Sequence, residues 1–287
     1  MKTRAVVVLL VSTSILVGGL LAQSVDVVPV LKVHEYNQTD ATTTAEKAVN
    51  PWAFEVFIDG TGLTASFPSG TNSFTPQGGS AGLFVFDSGN QHWSYQGNAS
   101  FADQAALDAA FPNGTQSLIV GGIPFTLSLA GNLYPNTPLA TASAGTWTGG
   151  LLQLTAAQAS AGFSITSNTF TGWANDGSFR IGIWGDGSSY SQDVETYAAN
   201  FLAMNVAGGA LTAGNTYSFT VEFMRFTDSD TSLQPTLGVN ALGVAGYVIN
   251  TSFSVQVIPE PSTYAAILGG LALAGVVWRR RQLAGRA

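Results

Sequence analysis

The sequence lacks cysteine and has few charged residues or histidines. None of its 287 residues is a cysteine, charged residues make up 9%, and histidine occurs twice. Without cysteine the chain can form neither a disulfide framework nor a zinc–cysteine site, and it has no thiolate nucleophile. Two imidazoles also leave little material for general acid–base catalysis by histidine. These absences place a secreted hydrolase last among the candidate functions.

Positive charge is scarce and is concentrated at the two ends of the chain. Lysine and arginine together number 10, against 17 aspartates and glutamates. Six of these cations lie at positions 2, 4, 279–281 and 286, so four cations face all 17 acids between residues 5 and 278, a formal net charge of −13. Such a segment cannot neutralise a series of phosphates. We therefore expect no nucleic-acid partner.

Residues 1–24 have the pattern of a secretory signal peptide. Two basic residues precede an apolar stretch at 5–21, and the tripeptide at 22–24 fits the small-x-small pattern of a cleavage site. We predict an N-terminal signal helix that is removed after Ser24. Cleavage after Ala22 and an uncleaved signal anchor are the alternatives.

The C-terminal segment predicts a short membrane-spanning helix. The tripeptide Pro259-Glu260-Pro261 precedes an uncharged stretch at 262–278, and an arginine cluster follows at 279–281. As a helix, the stretch at 262–278 would span ~25 Å, somewhat less than a ~30 Å hydrocarbon core. The arginines would remain cytoplasmic, so the precursor would span the inner membrane with its larger part outside. The alternative is an ordinary tail anchor behind a proline-rich linker.

This tail resembles the PEP-CTERM sorting signal, which combines a Pro-Glu-Pro box, a short hydrophobic helix and a terminal arginine cluster. The resemblance covers residues 259–287. It implies that an exosortase, a membrane-embedded transpeptidase-like enzyme, removes the tail, and that the protein reaches the cell surface or the exopolysaccharide matrix. It also implies that the sorting residues are Pro259, Glu260, Pro261, Arg279, Arg280 and Arg281.

The segment between the two ends alternates between apolar and polar residues. This period of two is clearest at 52–59, 123–129, 179–183 and 217–223, and it is typical of strands with one buried face. Clusters of glycine, asparagine, aspartate and serine separate the alternating segments. The pattern predicts an all-β protein, an antiparallel β-sandwich that forms either one large or two small sandwiches.

One short helix is predicted near residue 105. Ser100 and Asp103 fit a capping box, Leu107 and Phe111 are one helical turn apart, and Pro112 stops the run. We expect this helix to be about ten residues long and to cover one open end of a sandwich.

An uncharged stretch of small residues at 136–150 suggests a domain boundary. It divides the chain into a first β-rich region at 25–135 and a second β-sandwich region at 136–258. The signal peptide at 1–24 and the sorting tail at 259–287 complete the predicted organisation.

Tryptophans are the candidate carbohydrate contacts, because exposed indole rings stack on sugar rings. Trp184 is out of phase with Ile181 and Ile183, which predicts that it is exposed. Trp173 and Trp93 are the further candidates. The structural alternative is that these large aromatic residues close the ends of the sandwich.

Carboxylates and histidines give weaker indications. The acids Asp176, Asp186, Asp193 and Glu195 are assigned to two loops, and Asp228 and Asp230 follow a strand. Such loops can bind Ca²⁺, but the spacing is not that of an EF-hand, and solvated turn acids are the alternative. Linear spacing selects no pair of glycosidase acids. His34 and His92 are predicted to face solvent from strands, and no other cofactor is expected.

The favoured hypothesis is therefore a non-enzymatic exported protein with a structural or adhesive role at the cell surface or in the polysaccharide matrix. The alternative is a carbohydrate-binding surface module that uses the three tryptophans. In both hypotheses exosortase is a partner, and in the second exopolysaccharide is another.

Overall fold

The computed structural model describes residues 23–171, 177–185, 190–197, 199–238, 240–259 and 268–276, and most of them lie in strands. The first strands are β1 (Ser24–Gln38), β2 (Thr44–Glu46), β3 (Trp52–Thr61), β4 (Ser73–Thr75), β5 (Gly82–Asp87), β6 (His92–Tyr95), β7 (Ala99–Phe101), β8 (Gly114–Val120) and β9 (Ile123–Leu129). Then follow β10 (Ala140–Ala142), β11 (Thr146–Thr148), β12 (Leu151–Thr155), β13 (Phe163–Ser167), β14 (Gly177–Gly185), β15 (Ser191–Thr196), β16 (Ala203–Val206), β17 (Thr216–Asp230) and β18 (Leu242–Ile258). The predicted all-β, sandwich-like class is confirmed.

Most strands belong to one long sheet, in the order β15-β14-β17-β18-β1-β3-β6-β5-β4-β8-β9. A small sheet has the order β10-β13-β16. Strand β18 pairs antiparallel with β17 and parallel with two other strands: residues 242–252 pair with 27–37 of β1, and residues 254–258 pair with 151–155 of β12. The predicted antiparallel arrangement therefore dominates but includes two parallel pairings.

Two large hydrophobic cores lie against one face of the long sheet, and a small third cluster lies on the opposite face, made of Leu31, Val33, Ala53 and Val248. The first core contains Val30, Phe54, Val56, Leu107, Leu118, Leu127 and Tyr247 among others. The second core contains Leu154, Ile165, Ile181, Met204, Phe219, Phe223 and Val255 among others. Strand β18 contributes to both cores, with Tyr247 in the first and Val255 in the second. The division of the chain at residues 136–150 stays a prediction.

Period-two alternation explains how the strands form these cores. In β17, every second residue from Tyr217 to Phe223 is buried, and the residues between them are half-buried or exposed. Alternate side chains of a strand point to opposite faces, so the apolar phase packs into the second core and the polar phase faces away from it.

Between residues 23 and 259, the described part of the chain contains three short helices, α1 (Gln104–Ala110), α2 (Ala156–Ala161) and α3 (Gln234–Leu237). The predicted helix is α1, but its cap is Asp103, whose Oδ1 accepts a hydrogen bond from Ala106 N at 2.8 Å. Ser100 is instead part of β7 and pairs with Ala53. Sequence analysis missed α2, which begins with a capping box made by Thr155 and Gln158.

In the C-terminal tail, residues 268–276 are helical and exposed. Within the described parts of the chain, no helix has the length and apolar character needed to cross a membrane. The other residues of the span predicted at 262–278 lie outside the described residues. Residues 1–22 of the signal helix predicted at 1–24 also lie outside them. Both helices stay predictions.

Candidate functional site

A groove of about 260 Å³ lies on the face of the long sheet that is opposite the two cores. It is formed by β15, β14, β17, β18, β1 and β3. Its charged and polar lining consists of Asp26, Asp59, Arg180, Asp193, Glu195, Tyr197 and Glu222. Apolar side chains, among them Leu31, Phe57, Met224, Phe226 and Val244, complete the lining. The groove therefore combines five carboxylates and one guanidinium with an apolar surface.

Strand register explains why the charges meet. Cross-strand pairs place Glu195 beside Arg180, Arg180 beside Glu222, Glu222 beside Asn250, and Asn250 beside Glu35. These five residues form a row across β15, β14, β17, β18 and β1. Because paired residues of adjacent strands project to the same face, one row of a regular sheet suffices to build a continuous polar surface.

Arg180 is the central charge of the groove. Its Nε lies 2.9 Å from both carboxylate oxygens of Asp193, and its Nη2 lies 2.6 Å from Asp193 Oδ2. This two-pronged hydrogen bond raises the pKa of the Arg180 guanidinium above its usual value, and the charge of Glu222 adds to the effect. The bidentate geometry fixes the plane of the guanidinium between its carboxylate neighbours.

Glu222 is a carboxyl group of the groove that titrates near neutral pH. Its pKa is raised to about 7: burial raises it most, Arg180 lowers it, and the neighbouring acids, Glu195 first, also raise it. Near neutral pH this carboxyl is therefore partly protonated, so it can donate as well as accept a hydrogen bond. Beside it, Asn250 Oδ1 is buried and has no hydrogen-bond partner among the described residues.

Of the three tryptophans that the sequence suggested, Trp93 is the one whose side chain is described, and it does not line this groove. Trp93 of β6 is half-buried, its Nε1 donates to Phe67 O at 3.0 Å, and its ring lies 5.6 Å from that of Phe86. These contacts give it a structural role in the first core. The side chain of Trp184 and the whole of Trp173 lie outside the description, so the tryptophan platform stays a prediction.

Two assignments from the sequence are wrong. Asp193 and Glu195 lie in β15 and not in a loop, because that segment pairs with β14 along its length. His34 is buried and does not face solvent: its ring stacks on Trp52 at 3.5 Å, and its Nε2 lies 2.7 Å from Glu46 Oε1. Burial lowers the pKa of His34, whereas Glu46 raises it.

The acids proposed for calcium have other partners where they are described. Asp228 Oδ2 accepts a hydrogen bond from Ser128 N at 2.9 Å, and Asp230 Oδ1 accepts one from Ser232 N at 2.7 Å. In the described ranges no group of three or more histidines, aspartates and glutamates is placed to hold a metal ion. Asp176 and Asp186 lie outside those ranges.

The sequence did contain a signal for the groove. Arg180 and Glu222 occupy the polar phase of two strands that the alternation predicted correctly, so their outward orientation was foreseeable. Nothing local to either strand, however, indicates that β14 and β17 are neighbours.

Fold and site together define an all-β, sandwich-like protein with an acidic groove on a sheet face. Residues 257–281 match the family model of the PEP-CTERM protein-sorting motif. The match implies export that depends on exosortase and sorting to the cell surface. It contains all six predicted sorting residues; of these, only Pro259 lies in the described part of the chain, directly after β18. Their individual roles stay predictions.

Other comparisons add little. No curated protein matches the chain. Among solved structures, a cytokine receptor complex is 10% identical, with 74% of this chain and 94% of that chain covered, and a TM-score of 0.23. The human OSCAR ligand-binding domain is 13% identical, with 69% of this chain and 90% of that chain covered, and a TM-score of 0.20. The chicken CNTN1 FN1-FN3 domains are 11% identical, with 80% of this chain and 65% of that chain covered, and a TM-score of 0.20. At these TM-scores the likenesses carry no argument.

Proposed function

We propose that this exported chain is a non-enzymatic, structural or adhesive protein of the cell surface, and that its groove binds a neutral saccharide chain of the surrounding matrix. The sorting motif supports the location. The observation that carries the binding role is the groove itself, which lies on the sheet face away from both cores.

The lining of the groove suits sugar hydroxyls. Carboxylates such as Glu195 and Glu222 accept hydrogen bonds from hydroxyl groups, and a guanidinium donates them in a fixed plane. The rings of Tyr197 and Phe226, stacked 6.2 Å apart at an interplanar angle of 21°, add aromatic surface to the lining. Sugar rings pack their C–H faces against such a surface.

The charge balance of the groove selects a neutral ligand. Five carboxylates line it, whereas Arg180 is its one cation among the described lining residues. Arg180 is already engaged by Asp193 at 2.6 Å. An anionic polysaccharide would therefore meet uncompensated negative charge, which electrostatic complementarity disfavours.

Hydrolysis of a glycosidic bond is the second candidate, and the pKa of Glu222 favours it. A glycosidase needs one carboxyl that stays protonated near neutral pH and a second one that is ionised, and burial raises the pKa of Glu222 to about 7. In the register row, however, Arg180 stands between Glu222 and Glu195. A guanidinium at this position supports binding more than a free pair of catalytic acids.

The binding role is tested by affinity electrophoresis of the full chain in gels that contain glucan, mannan or xylan. We expect retardation by at least one of these neutral polysaccharides, and about tenfold weaker retention of Glu222→Gln, since a lost hydrogen bond to a charged group costs about 1.5 kcal/mol or more. Glu46→Gln is the matched control, because it replaces a glutamate by glutamine in the same way but at a position on β2, outside the groove.

Three results distinguish the candidates. Saccharide binding would be contradicted if the wild-type chain bound none of the three polysaccharides, or if Glu222→Gln and the control variant were retained equally. Release of new reducing ends by the wild type, lost in Glu222→Gln, would replace the adhesive role with hydrolysis.

A further inference from the structure

Lys32 is a cation inside the first core. It lies on β1, its side chain is 0% exposed, and its register neighbours are Phe54 on β3 and Tyr247 on β18, which are also 0% exposed. The ring of Phe111 stacks on Phe54 at 3.9 Å. A lysine in such surroundings is rare, because the ammonium group loses its hydration. The site needs an explanation beyond packing.

Two side chains contact the Lys32 amine. One is Asp108 of α1, whose Oδ1 accepts a short hydrogen bond from Nζ, and the other is Asn113, whose Oδ1 lies 2.8 Å from Nζ. The side chain of Asp108 is 30% exposed, so this carboxyl connects the buried amine to water. Burial lowers the pKa of Lys32, whereas Asp108 raises it. A neutral amine is therefore more accessible here than on the surface.

The carboxamide of Asn113 is held in one orientation. Its Oδ1 also accepts a hydrogen bond from the hydroxyl of Tyr247 at 2.9 Å. Its Nδ2 donates to Gly131 O at 3.0 Å and to Asn132 Oδ1 at 2.8 Å. The Tyr247 hydroxyl, which also contacts Gly131 O, draws electron density from the carbonyl carbon when it donates to Oδ1, as a donor does in an oxyanion hole. The amide nitrogen, in contrast, is held by acceptors.

We propose that Lys32 and Asn113 join in an intramolecular isopeptide bond and that Asp108 transfers the protons. Lys32 Nζ lies 2.8 Å from Asn113 Oδ1, which is bonded to the carbon that the amine would attack, so the two groups need no diffusion to meet. Asp108 contacts the amine directly, and Asn132 connects it to the amide nitrogen, because Asn132 Nδ2 donates to Asp108 Oδ2 at 3.2 Å and its Oδ1 accepts from Asn113 Nδ2. A carboxyl group in this position can accept a proton from one nitrogen and return it to the other. The three side chains thus have the roles of nucleophile, electrophile and proton carrier.

The reaction balances without a co-reactant. Asp108 takes a proton from the Lys32 ammonium, and the free amine attacks Asn113 Cγ, so the Nζ–Cγ bond forms. Asp108 then transfers protons from Nζ to Nδ2, and the Cγ–Nδ2 bond breaks. Nδ2 leaves with both protons that Nζ has lost, as one ammonium ion, and Asp108 returns to its initial state. No oxidant or reductant takes part.

A crosslink at this point has a clear physical use. The chain has no cysteine, so it cannot form a disulfide. Lys32 and Asn113 are 81 positions apart, and a bond between them would close a long loop and reduce the freedom of the unfolded chain. It would also fasten β1 to the segment before β8. The inference rests on the first core alone and does not depend on ligand binding in the groove.

Peptide mass spectrometry of the purified full chain tests the bond. After denaturation and tryptic digestion, we expect a branched peptide that joins Lys32 to Asn113, with a mass lower by one ammonia than the sum of the two peptides. Trypsin should fail to cleave after Lys32, because its amine has become an amide.

Two variants test the roles of the side chains. Asp108→Asn keeps the shape of the side chain but cannot carry the protons, so the separate peptides should appear with unchanged sequence masses. Circular dichroism should show that this variant is folded. Lys32→Met should also lack the branched peptide, whereas the control Lys47→Arg, at an exposed lysine paired with Glu35, keeps the tryptic site at 47 and should retain it.

Each of the following results would overturn the proposal in whole or in part. Separate wild-type peptides at their sequence masses would show that Lys32 forms an ion pair only. Conversion of Asn113 to aspartate in an unlinked peptide would show deamidation in place of crosslinking. Full crosslinking in Asp108→Asn would remove the assigned role of Asp108.

Discussion

In β17, Glu222 and Phe223 are adjacent in sequence but lie on opposite faces of the long sheet. Phe223 is fully buried in the second core, where its ring stacks on Phe170 at 5.0 Å and approaches Phe179 at 4.9 Å. Glu222 is half-buried in the groove beside Arg180. One run of backbone hydrogen bonds therefore supports an apolar core on one face and an acidic surface on the other.

The two faces of the sheet therefore differ in role and in their effect on the free energy of the folded state. Burial of aromatic rings on the covered face lowers the free energy of the folded state. Partial burial of a carboxylate on the groove face raises it, as the raised pKa of Glu222 shows. Substitutions on the covered face should thus change global stability, whereas those in the groove should change its pH and salt dependence.

Phe223→Ala should have the largest effect. Removing a fully buried ring leaves a cavity in the second core, and we expect the free energy of unfolding to fall by about 3–5 kcal/mol. Urea titration measures the change. Ser218→Ala, at an exposed position of the same strand, should alter stability by less than about 0.5 kcal/mol. Equal effects of the two substitutions would contradict the assignment of the faces.

Glu222→Gln should have a smaller effect of opposite sign that depends on pH. The pKa of Glu222 is about 7 in the folded chain, against an ordinary value of 4.5, so the folded state binds this proton more tightly than the unfolded state does. Wild-type stability should therefore fall as pH rises from about 4.5 to about 7. The variant should be more stable than the wild type by about 1–3 kcal/mol at about pH 8, with the difference lost near pH 4.

Urea titrations across this pH range check the prediction, with Ser218→Ala, which removes no titratable group, as the control. A constant difference between Glu222→Gln and the wild type at all pH values would show that the carboxyl does not titrate in the folded chain as described.

Asp193→Asn should have the smallest effect. The side chains of Arg180 and Asp193 are 40% and 43% exposed, and ion pairs at this exposure contribute about 0.2–1 kcal/mol. The loss in the free energy of unfolding should be smaller still at high salt, which screens exposed charges. Urea titrations at low and high ionic strength measure this loss and its dependence on salt. A loss above about 2 kcal/mol that salt leaves unchanged would mean that the pair organises the whole groove face.

The sequence predicted part of the fold well, for local reasons. Alternation at 217–223 identified β17 and its two faces, and the stop at Pro112 placed the end of α1 within a residue or two. The candidate site was predicted poorly. Asp193 and Glu195 were assigned to a loop because glycines and serines precede them, yet pairing with β14 places them in a strand.

Buried polar residues were the other class that sequence analysis missed. His34 and Lys32 lie in the same strand, and each is buried because a partner from elsewhere in the chain receives its polar group: Glu46 for His34, and Asp108 with Asn113 for Lys32. From sequence alone, a polar residue in an alternating strand is predicted to face solvent, because a distant partner that would allow its burial is not known.

The strand faces and the sorting tail can be predicted from local sequence, since both depend on neighbouring residues: a period of two along a strand, and three adjacent elements in the last thirty positions. Tertiary structure alone decided which strands are neighbours. The parallel pairing of β1 with β18 brings Tyr247 to Lys32 and Asn250 to Glu35. Strand order depends on contacts between distant segments, and burial of both cores selects it only in the folded chain.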